Sequence, residues 1–145
     1  MTIEIDRNKY DKPLSQQSHG MKIVLHMPPN FIPQTIHGAY LAKIDCFEID
    51  FHYRDMEAAI IEYEDEKFSV LVGRNTRKLL KIILKDIKKQ HIDQVSLEQK
   101  IKLELPKLFE QIRKRFHRPI EIQNFDVSRG IIVESAENLV RKSTL

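Results

Sequence analysis

Apolar side chains recur at every second residue between about 39 and 73, and at every third or fourth residue between about 76 and 116. A period of two builds a strand with one dry face, and a period near 3.6 builds an amphipathic helix. Strands and helices therefore occupy separate blocks of the chain, which points to an α+β fold rather than an alternating α/β one.

Within the strand block, AYLAKIDCFEIDFHYR (39–54) begins with Tyr40, Ala42, Ile44 and Cys46 on one side, then switches to Phe47, Ile49, Phe51 and Tyr53. A strand cannot change faces without an extra residue or a break, so a bulge or bend is expected near Cys46–Phe47. AAIIEYE (58–64) and KFSVLVG (67–73) flank Asp65-Glu66 and read as a hairpin pairing Tyr63 with Phe68, Ile61 with Val70 and Ala59 with Val72. MKIVLHM (21–27) is a further strand, stopped by a stiff loop holding Pro28, Pro29 and Pro33. TIEID forms a short edge strand within a weakly ordered arm, residues 1–20. Residues 21–145 form a single domain.

The helix block opens with TRKLLKIILKDIKKQH (76–91), whose Leu79, Leu80, Ile82, Ile83, Leu84 and Ile87 fill one helical arc. A second helix starts at the capping pattern Ser96-x-x-Gln99. Its apolar residues Leu97, Ile101, Leu105, Leu108, Ile112 and Phe116 keep phase through Pro106, which predicts a kink there and an end before Pro119. Leu103 falls on the opposite side. IEIQNFDV and GIIVES (120–127 and 130–135) read as a closing strand pair around Ser128-Arg129-Gly130, with a tail helix from near Ser135. The predicted fold is an antiparallel sheet, a meander of three to four strands plus a C-terminal strand pair, with two amphipathic helices on one face.

At 145 residues the chain can bury a core without staples, and 41% hydrophobic with 31% charged residues describes an ordered protein. The single Cys46 excludes an internal disulfide and suggests a reducing, cytoplasmic setting. The opening residues lack the apolar core of a signal peptide. No apolar run approaches the roughly 20 residues that cross a bilayer, so no membrane partner is expected.

Charge is unevenly placed. Residues 1–72 hold 7 Lys/Arg against 12 Asp/Glu, and residues 73–145 hold 17 against 9. On a helix over 76–91, Arg77, Lys78, Lys81, Lys85, Lys88 and Lys89 share an arc of about 120° with no acid among them. Arg113, Lys114, Arg115 and Arg118 add a second cluster. Like charges on one face repel, and phosphates relieve that repulsion. The first expectation is a non-enzymatic nucleic-acid-binding or regulatory protein. Lysines outnumber arginines on this face, which suits backbone contact more than base reading. The competing explanation is a solvated lysine face.

A hairpin joining 39–54 to 58–64 through residues 55–57 sets Asp50 opposite Glu62 and Glu48 opposite Glu64. Opposed carboxylates call for a basic partner or a divalent metal, with His52 on the same face. A metal-dependent nuclease is the resulting third expectation. The acid-x-lysine element used by nucleases of the restriction-endonuclease type would have to be Asp65-Glu66-Lys67, which falls in a turn. The second expectation joins the two charged regions: an adaptor or homo-oligomer docking acidic sheet face to basic helix face. No zincin, serine-hydrolase, dithiol or phosphate-loop motif occurs, and no cofactor is expected.

Overall fold

The computed structural model describes residues 2–6, 13–18, 21–26 and 32–141, with backbone alone for 13–18 and 21–26. The fold is α+β. Eight strands are present among these residues: β1 Thr2–Glu4, β2 Pro13–Ser18, β3 Met21–His26, β4 Thr35–Leu41, β5 Cys46–His52, β6 Ala59–Glu64, β7 Phe68–Gly73 and β8 Leu79–Leu84. Six form one antiparallel sheet in the order β1-β4-β5-β8-β7-β6, while β2 and β3 pair as a separate hairpin. Helix α1 (Gln94–Gln99) runs through a π-helical segment (Lys100–Glu104) into α2 (Leu105–Arg113), and α3 spans Pro119–Arg141.

The largest departure from the sequence expectation is β8. LLKIIL is not the first half of a basic helix but a strand between β5 and β7. A six-residue apolar run satisfies a helical arc and a buried strand equally well. Here Leu79, Leu80, Ile82 and Leu84 are all buried, as a strand in the middle of a sheet requires. The chain beyond it turns, with Asp86 and His91 at φ 55° in the left-handed region, so residues 85–91 cannot extend a helix. The meander is accordingly interrupted: β5 pairs with β4 and β8 and not with β6.

Two more expectations change. The phase flip near Cys46 is a chain reversal rather than a bend, since β4 and β5 form a hairpin around a turn with Asp45 at φ 53°. The expected C-terminal strand pair is helix α3 instead. Phe125, Ser128, Ile132, Ala136 and Leu139 step by three or four along its buried side, and the small polar Ser128 masks the helical period.

The other elements lie where the pattern puts them. β6 and β7 form the hairpin, in the register Tyr63–Val70 and Ile60–Val72 with a bulge beyond Ile61, one to two residues from the expected pairing. Leu97, Ile101, Leu105, Leu108, Ile112 and Phe116 are all buried, and Leu103 is exposed. The cap is Asp93, three residues before the expected Ser96: its carboxylate accepts from Ser96 N at 2.7 Å. Pro106 is absorbed by the π-helical segment, where Leu105 N donates to Lys100 O five residues back. Residues 28–31 of the proline loop, and the tail beyond 141, lie outside the described residues.

All three helical pieces cover one face of the sheet. Phe47, Ile49, Phe51, Val70, Ile82 and Leu84 point into that layer and meet Leu97, Phe109, Phe125 and Leu139. Each such burial contributes roughly 1.5–3 kcal/mol. Phe125 links the helices, 4.6 Å centroid to centroid from Phe116 and 6.3 Å, edge-on, from Phe109. Gly38 sets the spacing where α3 crosses β4, since a Cβ there would stand 3.0 Å from Leu139 Cδ2.

Candidate functional site

Because the side chains of a strand alternate, burying Phe47, Ile49 and Phe51 under the helices turns Glu48, Asp50 and His52 to the opposite face. No helix of the described residues covers that face. Register builds two rows across it. The first runs His37, Asp50, Lys81, Leu71, Ile61, and the second Ala39, Glu48, Ile83, Ser69, Glu64.

Lys81 is the centre of the charged half. Its Nζ lies 3.4 Å from Asp50 Oδ1 and 3.6 Å from Glu48 Oε2. Burial pushes the Lys81 ammonium down, but Asp50 and Glu48 together outweigh it and hold its pKa above the usual value. The half beyond Lys81 is aliphatic. Ile83 and Leu71 are half-buried, Ile61 is 60% exposed, and the Ser69 hydroxyl between them donates to Glu64 Oε2 at 3.0 Å.

The basic residues read from the sequence as one flank are thus dispersed. Lys81 faces the open side of the sheet. Lys78 is 1% exposed, its Nζ donating to Asp55 O at 2.6 Å above the Tyr53 ring, and burial pushes its pKa down. Arg77 lies 3.8 Å from Glu62, and Lys85 3.9 Å from Glu64 with a hydrogen bond to Asp65 O. Lys88 and Lys89 project from the turn after β8. Of the second cluster, Arg113 pairs with Asp126 at 3.1 Å, Arg115 with Glu62 at 3.5 Å, and Arg118 stands 3.9 Å from Glu121, while Lys114 is exposed.

The four acids are not opposed as expected. Asp50 faces Lys81 across the ladder, and Glu62 on β6 answers Arg77 and Arg115 instead. Among the described residues no three His, Cys, Asp or Glu gather as a metal would need. Asp65 does sit in the hairpin turn, where its carboxylate accepts from Tyr63 Oη, Lys67 N and Phe68 N. Burial pushes the Asp65 carboxyl up, but these bonds and Lys85 outweigh it and hold the pKa below the usual range.

Two organising acids carried no pattern that singled them out. Asp45 accepts from Tyr40 Oη, Lys88 N and Lys89 N, tying the β4–β5 turn to the turn after β8. Its backbone bond from Lys88 and its bond from Tyr40 lower its pKa, and the same bond pushes Tyr40 up to about 12. Glu57 lies over Gly73 and accepts from Asn75 N, Thr76 N and Thr76 Oγ1, closing the β7–β8 turn. An acid in a loop followed by turn residues was the available signal, but the turns these acids tie to lie 18 to 44 positions away in sequence.

No protein-family model matches the chain, and neither a curated protein nor a solved structure matches it significantly.

Proposed function

We propose that the protein is a non-enzymatic assembly module that docks through the face of its sheet that no helix of the described residues covers. The observation that carries this reading is the juxtaposition of Ile61, Leu71 and Ile83, in three adjacent strands, with the Glu48–Asp50–Lys81 cluster. An apolar strip beside groups of both signs suits protein contact: the strip supplies burial and the charges supply register. A second copy is the simplest occupant, because a face holding both signs is complementary to itself under a two-fold axis.

Light scattering across a concentration series tests the reading. The chain is expected to dimerise, and Leu71→Glu, which places a charge in the strip, is expected to give a monomer with an unchanged circular-dichroism spectrum. A wild-type monomer at every concentration removes the proposal.

A second reading, contact with nucleic acid, now rests on Lys43, Lys88 and Lys89. All three are exposed; the Asp45 carboxylate, two residues after Lys43, accepts from the backbone N–H groups of Lys88 and Lys89, and the Lys88 ammonium lies 5.3 Å over the Tyr40 ring. A salt-sensitive gel shift abolished by reversing Lys88 and Lys89 to Glu would favour it over assembly.

A further inference from the structure

The β4–β5 connection carries two apolar side chains that the chain reversal leaves in water. Ile44 N donates to Leu41 O at 3.3 Å, so residues 41–44 close a tight turn with Leu41 and Ile44 at its two ends. Ile44 is 57% exposed and Leu41 36%. Exposed aliphatic side chains scattered singly need no explanation, but these two are held together as one apolar tip.

Lysines flank the tip. Lys43 lies inside the same turn and is exposed. Asp45 ties this turn to the one after β8: its backbone oxygen accepts from Ile87 N at 3.1 Å, and its carboxylate accepts from Lys88 N at 2.8 Å and Lys89 N at 3.1 Å. That clamp holds the backbone of the exposed Lys88 and Lys89 against the residue that follows Ile44. The acids of these two turns, Asp45 and Asp86, are both half-buried, and Asp45 also accepts from Tyr40 Oη. Glu64, Asp65 and Glu66 stand at the same end of the sheet but at its far edge, where Lys85 reaches Glu64 and the Asp65 carbonyl. The tip therefore presents aliphatic side chains and positive charge side by side.

That combination discriminates between partners. The phosphates of a nucleic acid would take up the lysines but leave Leu41 and Ile44 against a charged backbone. A bilayer with anionic headgroups takes up both, the lysines at its phosphates and the aliphatic groups at the boundary of its acyl layer. Either attraction alone holds a protein weakly, and the two together hold it at the surface. No helix of the described residues is long and apolar enough to cross a membrane, and none is needed for contact from one side.

We infer that the β4–β5 turn seats on an anionic lipid surface, with Leu41 and Ile44 entering the headgroup boundary and Lys43, Lys88 and Lys89 around them on the phosphates. The Asp45 clamp fixes the tip before contact, so little backbone freedom is lost on binding. The tip lies at the ends of strands, apart from the sheet face proposed for self-assembly, and does not depend on it.

The test is sedimentation of the full chain with vesicles of phosphatidylcholine and phosphatidylserine, against vesicles of phosphatidylcholine alone. The chain is expected to sediment with the first and stay in solution with the second. Replacing Leu41 and Ile44 together by Ser should weaken the binding about tenfold. Replacing Lys88 and Lys89 together by Ala should weaken it by about 30-fold. All four positions are exposed, and an unchanged circular-dichroism spectrum checks that the variants fold. The chain has no Trp, so Ile44→Trp supplies a single reporter, whose emission should shift to the blue on the anionic vesicles and be quenched by lipids brominated on their acyl chains. No sedimentation with either vesicle overturns the proposal, as does equal sedimentation with both. A Leu41 and Ile44 variant that binds like wild type overturns it by marking charge attraction alone. A gel shift with DNA or RNA from a chain that ignores the vesicles assigns the lysines to nucleic acid instead.

Discussion

Lys81 is the residue on which the charge layout turns. Its ammonium stands between Asp50 and Glu48 on a strand whose other side chains are largely aliphatic. Removing that charge leaves two carboxylates on neighbouring positions of one face with no cation between them. Ion pairs this exposed are worth at most about 1 kcal/mol each, and Lys81→Met should cost on the order of 1–2 kcal/mol at neutral pH in a urea titration. Because the folded-state pKa of Lys81 is raised, its contribution is complete below the unfolded value, about 10.5, and is lost as pH rises through the higher folded value. Wild type should therefore lose its advantage over Lys81→Met above that pH. A deficit independent of pH would mean that the lysine acts through its packed stem rather than its charge.

At the scale of elements, α3 is the sharpest test, because the same residues had read as two strands around a turn at Gly130. In a turn, a Cβ on Gly130 would tend to strain the backbone. In a helix with nothing within 4 Å of that Cβ, Gly130→Ala removes a glycine's conformational cost without a clash. The substitution should stabilise the chain by about 0.5–1 kcal/mol, measured by thermal or urea unfolding. A loss of stability would return the segment to the turn reading. The contrast between segments shows what was legible. The run from Leu97 to Phe116 holds its period over five helical turns, long enough to outlast Pro106, and its buried face was identified residue by residue. LLKIIL offers only six positions, in which a strand and a helix both bury Leu79, Leu80, Ile82 and Leu84 and differ at Ile83, and the neighbours that decide between them, β5 and β7, are distant in sequence. The acidic face was legible as the alternation Glu48, Asp50, His52. Its cation was not, because pairing with β8 depends on which strand enters the middle of the sheet.

On the scale of the whole molecule, that insertion resolves the charge asymmetry between the halves of the chain. β8, from the basic half, lies between β5 and β7 of the acidic half, and its flanking bases reach acids on both sides: Arg77 to Glu62, Lys81 to Glu48 and Asp50, Lys85 to Glu64. Arg115 extends the pattern from the helical layer to Glu62. A lysine flank without acids and an interleaved one respond to salt in opposite directions. Raising NaCl from about 0.1 M to about 1 M shortens the screening length from about 10 Å to about 3 Å. Screening relieves repulsion on a bare basic face and raises stability, whereas it weakens attraction in an interleaved one and lowers it. The urea midpoint should therefore fall on adding salt to wild type. In Lys81→Met, where part of the attraction is gone and two acids are left side by side on β5, it should fall less or rise. A midpoint that climbs with salt in wild type would mean that repulsion among bases outweighs these pairs. The nucleic-acid reading would then regain the driving force that interleaving removes.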